Sequence, residues 1–443
     1  MIDGVRAIGV VMLVIACGGH DSAPPDATAC SELFPPNCCP LPTTGACAMT
    51  CGNNMIDNCF IALTEQDSCE MAVETSELCD GSDLPTTCTA FDYFGGQLVC
   101  VDCQALDYTN CDACASNAST CVPFSGPAGF SSLGTAIAVF GSDVAVVAYD
   151  TSTAATEFLI VDPSTSHVTT APAPISDIAL TSVPDGWLAA GDSRLVHIDG
   201  SAHVKAFDVG SDFGSAALSY GPGSNALVAW SQAAGSGEYQ LWAALATGEG
   251  SNMVAPFAVT GAVTSSSHVV ATTDGESFFV ASSGTVARID ASGTVLAVDS
   301  SFPTGDSVAI SWTGTSGVYA ARTGNSGTLQ AFDDTATPVG MAIPFFSGEP
   351  LFGLSDAGDG LVAVQGIQPI AELEGSGYGL GQASYGPTVY RFQSLHVDGN
   401  GIASTPVDLG AGYVLPVFAR YGENVAAVWV GAGRFQLAIV PPN

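Results

Sequence analysis

Asp274-Gly275-Glu276-Ser277-Phe278-Phe279-Val280-Ala281 sets a tight-turn pair directly ahead of an apolar run. Asp–Gly supplies the positive-φ positions that a short hairpin turn needs, and the apolar run after it reads as a strand. The same order recurs along the chain. Gly141-Ser142-Asp143 precedes Val144–Tyr149, Asp185-Gly186 precedes Trp187–Ala190, and Gly223-Ser224-Asn225 precedes Ala226–Trp230. Gly314–Gly317 precedes Val318–Ala321, Asp359-Gly360 precedes Leu361–Val364, and Gly422-Glu423-Asn424 precedes Val425–Trp429. With the opening segment this makes seven copies, spaced by roughly 39 to 64 residues.

A second strand follows each apolar run and often ends in Asp, as in Phe158–Asp162, Leu195–Asp199, Val286–Asp290 and Leu329–Asp333. A Gly- or Ser-containing turn then leads to another strand, such as Thr294–Val298 after Asp290–Gly293. Counting the strand before each tight turn, one unit holds four antiparallel strands. Four strands repeated at this spacing mark a β-propeller blade. The expected fold is therefore mainly β: a seven-bladed β-propeller over residues 122–443. Its last unit, ending at Ile439-Val440-Pro441-Pro442, lacks a fourth strand, and residues between Val122 and Leu133 are expected to supply it.

Upstream of the repeats the composition changes sharply. All fifteen cysteines lie in the first 121 residues. Fourteen of them (Cys30, Cys38, Cys39, Cys47, Cys51, Cys59, Cys69, Cys79, Cys88, Cys100, Cys103, Cys111, Cys114 and Cys121) fall within residues 30–121. That is about 15% cysteine, above the level that marks a disulfide scaffold. The even number agrees with full pairing, and such cross-links let a module fold around little core. Cys100-Val101-Asp102-Cys103 and Cys111-Asp112-Ala113-Cys114 form a CxxC pair of the kind that binds zinc. The short gap between the pairs and the ten other cysteines favour disulfides, so no metal is expected in this small disulfide-rich module.

The chain opens with a ten-residue apolar stretch, Ala7–Ala16, too short to span a membrane and suited to a signal-peptide core. Val14-Ile15-Ala16-Cys17 resembles the bacterial lipobox. The resemblance implies cleavage of a signal peptide at residues 1–16, acylation of Cys17 and attachment to a membrane. In that family Gly18 after the cysteine points toward the outer membrane, and the expected location is the outer membrane or cell surface. Residues 17–29 lack apolar periodicity and read as a flexible tether.

Within the cysteine module, Cys51-Gly52-Asn53-Asn54 resembles the Cys-Gly-Asn-Gly opening of cysteine-rich repeats from surface proteins of myxobacteria. Glu77-Leu78-Cys79-Asp80-Gly81-Ser82-Asp83-Leu84 resembles their centre, and Cys88, Cys100, Cys103 and Cys111 continue the order. The likeness covers residues 51–114, with its first half interrupted by the residues that hold Cys59 and Cys69. It implies an extracellular spacer or adhesion-like module.

Eight basic residues against 43 acidic ones give a net charge of −35, which disfavours nucleic acid as a partner. Carboxylates suit calcium, but the EF-hand alternation is absent, and Asp398-Gly399-Asn400-Gly401 reads as an ordinary turn. No cofactor is expected, calcium being the alternative that the carboxylates leave open. The six histidines stand apart from one another and read as strand-surface residues. Neither a Gly-x-Ser-x-Gly elbow nor a phosphate-binding Gly-rich loop occurs.

One segment interrupts the repeat. Residues 366–387 carry Tyr378 and Tyr385 on a Gly/Ser background, the composition of a binding loop. The expected function is a non-catalytic, lipid-anchored surface protein that binds extracellular protein or glycan. The alternative is a propeller hydrolase or lyase acting on extracellular polysaccharide.

Overall fold

The structure is a computed structural model. It describes residues 12–14, 58–65, 68–76, 84, 87–91, 93–101, 105–107, 109–115 and 120–126, then 130–440 with short breaks and without 368–389 and 398–406. Cys17, Cys30, Cys38, Cys39, Cys47, Cys51, Cys79, Cys103, Tyr378 and Tyr385 therefore lie outside the described residues.

Among the described residues the chain is mainly β, and it divides into two compact units. The repeat unit comprises Asp92–Phe94, Asp112–Ile370 and Thr388–Asn443. Among the described residues it contains seven four-stranded antiparallel sheets. Sheet 4 shows the plan: Val270–Thr273, Ser277–Ser282, Thr285–Asp290 and Val295–Asp299 pair in simple order. Each of the seven apolar runs noted in the sequence is the second strand of its sheet. Two of them, Ser277–Ser282 and Gly186–Gly191, are buried at every position and hence on both faces. Continuous apolar runs rather than strict alternation are what such two-sided burial requires.

The first strands of the seven sheets are Phe130–Phe140, Ala179–Val183, Ala216–Tyr220, Val270–Thr273, Ser307–Trp312, Leu351–Asp356 and Val414–Tyr421. Each neighbours the next, and Val414–Tyr421 neighbours Phe130–Phe140. A cyclic succession of innermost strands is the arrangement of a β-propeller. Apolar clusters fill the space between consecutive sheets. Phe158, Ile160, Trp187 and Ile198 pack between sheets 1 and 2, and Phe279, Trp312, Tyr319 and Phe332 between sheets 4 and 5. The Phe279 and Trp312 rings stack at 4.9 Å.

The seventh sheet takes its outer strand from upstream. Thr120–Phe124 pairs antiparallel with Arg434–Val440, with Val122 opposite Leu437 and Phe124 opposite Phe435. The closing strand thus sits two residues earlier than the expected Val122–Leu133, and Phe130–Leu133 instead opens the innermost strand of sheet 1. Alternation explains the position. Val122 and Phe124 are buried while Cys121 and Pro123 face solvent, which gives one apolar face to lay on the sheet. Proline at position 123 is tolerated because this is an edge strand.

A further segment joins the sixth sheet. The Ala411 N–H donates to the Ala113 carbonyl (2.7 Å), and the Ala115 N–H donates to the Leu409 carbonyl (3.2 Å). Cys114 thereby bridges Gly410 on the outer strand Val407–Gly412. The expected boundary at residue 121 therefore moves: Asp112 onward, with Cys114 and Cys121, folds with the sheets. Cys114 and Cys121 are bonded to each other, so this disulfide folds with the sheets.

Two glycines make room for this strap. A Cβ on Gly410 would lie 2.5 Å from the Ala113 carbonyl oxygen and 2.4 Å from the Trp429 ring. One on Gly431 would lie 2.3 Å from the Ala411 carbonyl oxygen. Tyr93, 3% exposed, accepts a hydrogen bond from the Ala432 N–H at 2.8 Å.

The second unit, which includes Gly95–Cys111, holds a three-stranded sheet of Met12–Val14, Asn58–Glu65 and Ser68–Ser76. Met12–Val14 belongs to the expected signal-peptide core and pairs here with Ile61, Ala62 and Leu63. A two-stranded ribbon, Val99–Val101 with Ala105–Asp107, and the bridge between Gly96 and Cys111 complete its described part.

Candidate functional site

The connections between strands place chemistry at the two ends of the sheets. In each sheet the second and third strands join at one end; the first–second turns and, in sheets 1 to 6, the third–fourth connections lie at the other. Contacts between sheets keep these ends together. Asn225, in a first–second turn, donates to the carbonyl of Ala291, in the third–fourth turn of sheet 4 (3.1 Å). At the opposite end, Gly305 ahead of sheet 5 donates to the Ser283 hydroxyl in the second–third turn of sheet 4 (2.9 Å).

The first–second and third–fourth end is acidic, and its carboxylates hold turns. Asp162 accepts from the Ser164 N–H and hydroxyl and from the Thr165 hydroxyl. Asp290 accepts from the Ser292 N–H and hydroxyl and the Thr294 N–H, all at 2.7–2.9 Å. Asp333 repeats the pattern with Thr335 and Thr337, and Asp199 with Ser201 and His203. The spacing Asp-x-Ser/Thr, with a further N–H two residues on, is thus an Asx-turn device that recurs between third and fourth strands.

These bonds favour the ionised carboxylates. The Ser164 hydroxyl foremost lowers the Asp162 pKa, the His203 N–H foremost that of Asp199, and the Ser292 hydroxyl foremost that of Asp290. At Asp333 burial pulls upward but is outweighed by the bonds from Thr335 and Thr337. A carboxylate with a lowered folded-state pKa stabilises the fold above its unfolded value, near 3.9, and loses that contribution as pH falls through the lower folded value. Asp290→Asn keeps an acceptor but not the charge. Its deficit in urea midpoint relative to wild type is expected at pH 6 and should shrink toward zero below about pH 4. A deficit that is constant from pH 6 to 3 would show that ionisation contributes nothing.

The second–third end carries arginines together with carboxylates such as Asp192, Asp208 and Glu238. Of the six arginines beyond residue 122, Arg194, Arg322, Arg391 and Arg434 lie at or within a few residues of a second–third connection, opposite or near Gly191, Gly327, Ile367 and Gly431. Arg194 pairs with Asp208 at 3.0 Å, and Arg391 with Asp408. Burial pulls the Asp408 pKa up but is outweighed by Gln393 and Arg391, which leave it lowered. Phe94 lies 5.1 Å beneath the Arg391 guanidinium.

One titratable cluster sits at this end, across the seam of sheets 4 and 5. His268 lies two residues before the innermost strand of sheet 4. Its carbonyl accepts from the Ser282 hydroxyl at 2.7 Å. Burial, and then the Arg322 guanidinium, lower its pKa, which leaves a neutral imidazole at pH 7. The Arg322 carbonyl accepts from the Asp306 N–H at 2.7 Å. Beneath them, the Tyr319 hydroxyl accepts from the Gly284 N–H (3.0 Å) and lies 2.8 Å from the Pro303 carbonyl. Burial raises its pKa, so it stays protonated as a structural donor. The His268 Nδ1 accepts from the Val308 N–H at 3.5 Å, which ties the imidazole to the innermost strand of sheet 5.

Sequence reading missed this cluster, because 54 residues separate His268 from Arg322 (322 − 268) and nothing local marks either. Nor are the histidines all strand-surface residues. His197 is 8% exposed and meets Asp185 at 3.1 Å, and His268 is half-buried. Of the cysteines, Cys88 bonds Cys111, Cys114 bonds Cys121, and Cys100 is disulfide-bonded. Cys59 and Cys69 stand on adjacent strands, opposite Thr75 and Thr64. Among the described residues no cluster of His, Cys, Asp and Glu could hold a metal ion, and no helix is long and apolar enough to cross a membrane.

No protein-family model matches this chain, and no curated protein matches it. Solved structures similar to it include the polysaccharide lyase Uly1, at 11% identity and TM-score 0.47, covering 72% of this chain and 92% of that one. The Neurospora crassa Pan2 WD40 domain is similar at 11% identity and TM-score 0.44, covering 74% and 95%. The β-propeller domain of the Trilobed protease from Pyrococcus furiosus is similar at 12% identity and TM-score 0.42, covering 70% and 94%. Likeness at this level says nothing of what this chain binds.

Proposed function

We propose that this protein is an exported lipoprotein, anchored through Cys17 to the outer membrane or cell surface, whose seven-bladed β-propeller binds an extracellular protein or glycan. The observation that carries the binding reading is the placement of Arg194, Arg322, Arg391 and Arg434 at one end of the sheets in a chain of net charge −35. Guanidinium groups recognise carboxylates and sulfates bidentately, and scarce cations gathered at one end give an acidic partner a place to dock. The cysteine module serves as a spacer between anchor and propeller.

The test is capture of surface proteins and acidic polysaccharides by a soluble form beginning at Gly18. Capture should weaken with salt and drop at least about tenfold in Arg194→Ala/Arg434→Ala, where two exposed cations are removed. Capture that is indifferent to salt and to both substitutions would refute the arginine end. Tyr378→Ala/Tyr385→Ala tests the loop of residues 366–387 separately, with loss of capture the expected outcome and unaltered capture the contrary one.

A second reading, cleavage of an acidic polysaccharide, is favoured by the neutral His268 imidazole beside Arg322. In that case His268 acts as the base and Arg322 neutralises a substrate anion. Shortened or unsaturated products that vanish in His268→Ala would establish it.

A further inference from the structure

We infer that the Cys114–Cys121 disulfide is a redox-controlled latch on ring closure. Three observations converge on it. Cys114 lies in the segment that hydrogen-bonds the outer strand of sheet 6, through Ala113 to Ala411 and Ala115 to Leu409. Cys121 lies in the strand that completes sheet 7, opposite Ala438. The bond between them therefore ties one short stretch of chain to two neighbouring sheets at once, at the point where the last sheet is finished by residues from upstream. Cys121 is exposed, so the bond is open to a dithiol from solvent, whereas Cys88–Cys111 ends in two buried sulfur-bearing residues.

The strap is held to sheet 6 by two backbone hydrogen bonds and the buried side chains of Ala113 and Ala115, and the closing strand by its pairing with Arg434–Val440 and the buried Val122 and Phe124. Reduction by a dithiol breaks the single S–S bond. Two electrons and two protons pass to Cys114 and Cys121, which become thiols, and the reductant leaves as its own disulfide. The strap and the closing strand then move independently, and each is free to lift from its sheet without the other. Closure thus becomes conditional on an oxidising compartment, the setting expected for an exported chain. This inference rests on the paired strands alone and stands whatever the propeller binds.

Hydrogen exchange on the full mature chain tests it. In Cys114→Ser/Cys121→Ser, amides of 120–124, 409–411 and 434–440 should exchange at least about tenfold faster than in wild type, while those of 277–290 in sheet 4 keep their rates. Unchanged exchange at 434–440 would overturn the latch. Uniform acceleration through sheet 4 would overturn it equally, since the bond would then support the whole fold rather than its closure. If the double variant does not fold, graded reduction of wild type with alkylation replaces it. Alkylation of Cys114 and Cys121 must then coincide with lost protection at 434–440; alkylation with protection retained refutes the proposal.

Discussion

A chain that begins at Gly126 should lose its cooperative fold or melt at least about 15 °C below the full chain. It lacks the strand Thr120–Phe124 and the strap at Asp112–Ala115 that crosses to sheet 6. Burial of Phe124 and Val122, which are 4% and 7% exposed, contributes about 1.5–3 kcal/mol for each side chain. The Phe124–Phe435 ring contact at 5.4 Å contributes about 0.5–1.5 kcal/mol more. Removing the strand also bares the edge of Arg434–Val440, whose Phe435, Leu437 and Ile439 now belong to the core. Together these losses take a large share of the roughly 5–15 kcal/mol by which domains are stable. A bare apolar edge also pairs with other chains, so aggregation on heating should accompany the loss. Differential scanning calorimetry with light scattering reads both effects. A Gly126 chain that melts like the full one would mean that the seventh sheet does not depend on its upstream strand.

Trp429→Ala should be the most damaging single substitution at the same seam, costing about 3–5 kcal/mol and roughly 10 °C in melting temperature. Trp429 is fully buried among Phe392, Leu409 and Phe418, and its Nε1 donates to the Ala411 carbonyl at 3.0 Å. Gly410 and Gly412 carry no side chain against its ring; a Cβ on either would come within 2.7 Å of it. The indole therefore occupies space that its neighbours leave open, and alanine leaves a cavity which those glycines cannot fill. Trp429→Phe restores most of the volume but not the hydrogen bond, so about 1–2 kcal/mol of the loss should remain. Equal losses for Ala and Phe, in chemical unfolding at one pH, would assign the effect to the hydrogen bond instead of the packing.

Most of the repeat unit was legible because its rules are local. The turns that open each second strand need positive φ, and Gly141, Gly223, Gly275, Gly314 and Gly422 adopt it. Position by position, glycine and asparagine announced these turns, and the apolar runs after them became the second strands. The closing strand was less legible. Thr120–Phe124 holds a cysteine and a proline, sits at a change of composition, and pairs with residues more than three hundred positions away. Only its alternating burial marks it, and five residues are too few for that signal to stand out in sequence. The strap at Asp112–Ala115 has no periodicity at all; glycines at 410 and 431 show its place only once the sheets are assembled. The His268–Arg322 cluster was hidden for the same reason, since burial of His268 is produced by the packing of two sheets rather than by its neighbours in sequence.

The upstream strand Thr120–Phe124 completes the seventh sheet in a defined register that can be measured. Val122 faces Leu437 in the antiparallel pair, whereas Phe435 lies opposite Phe124. A chain carrying Val122→Cys and Leu437→Cys should form a disulfide between the two new thiols, found by peptide mapping, because directly opposed residues bring their Cβ atoms within bonding range. Val122→Cys with Phe435→Cys should not. Cross-linking of the first pair alone supports closure in this register; no cross-link in the first pair, or equal cross-linking in both, contradicts it.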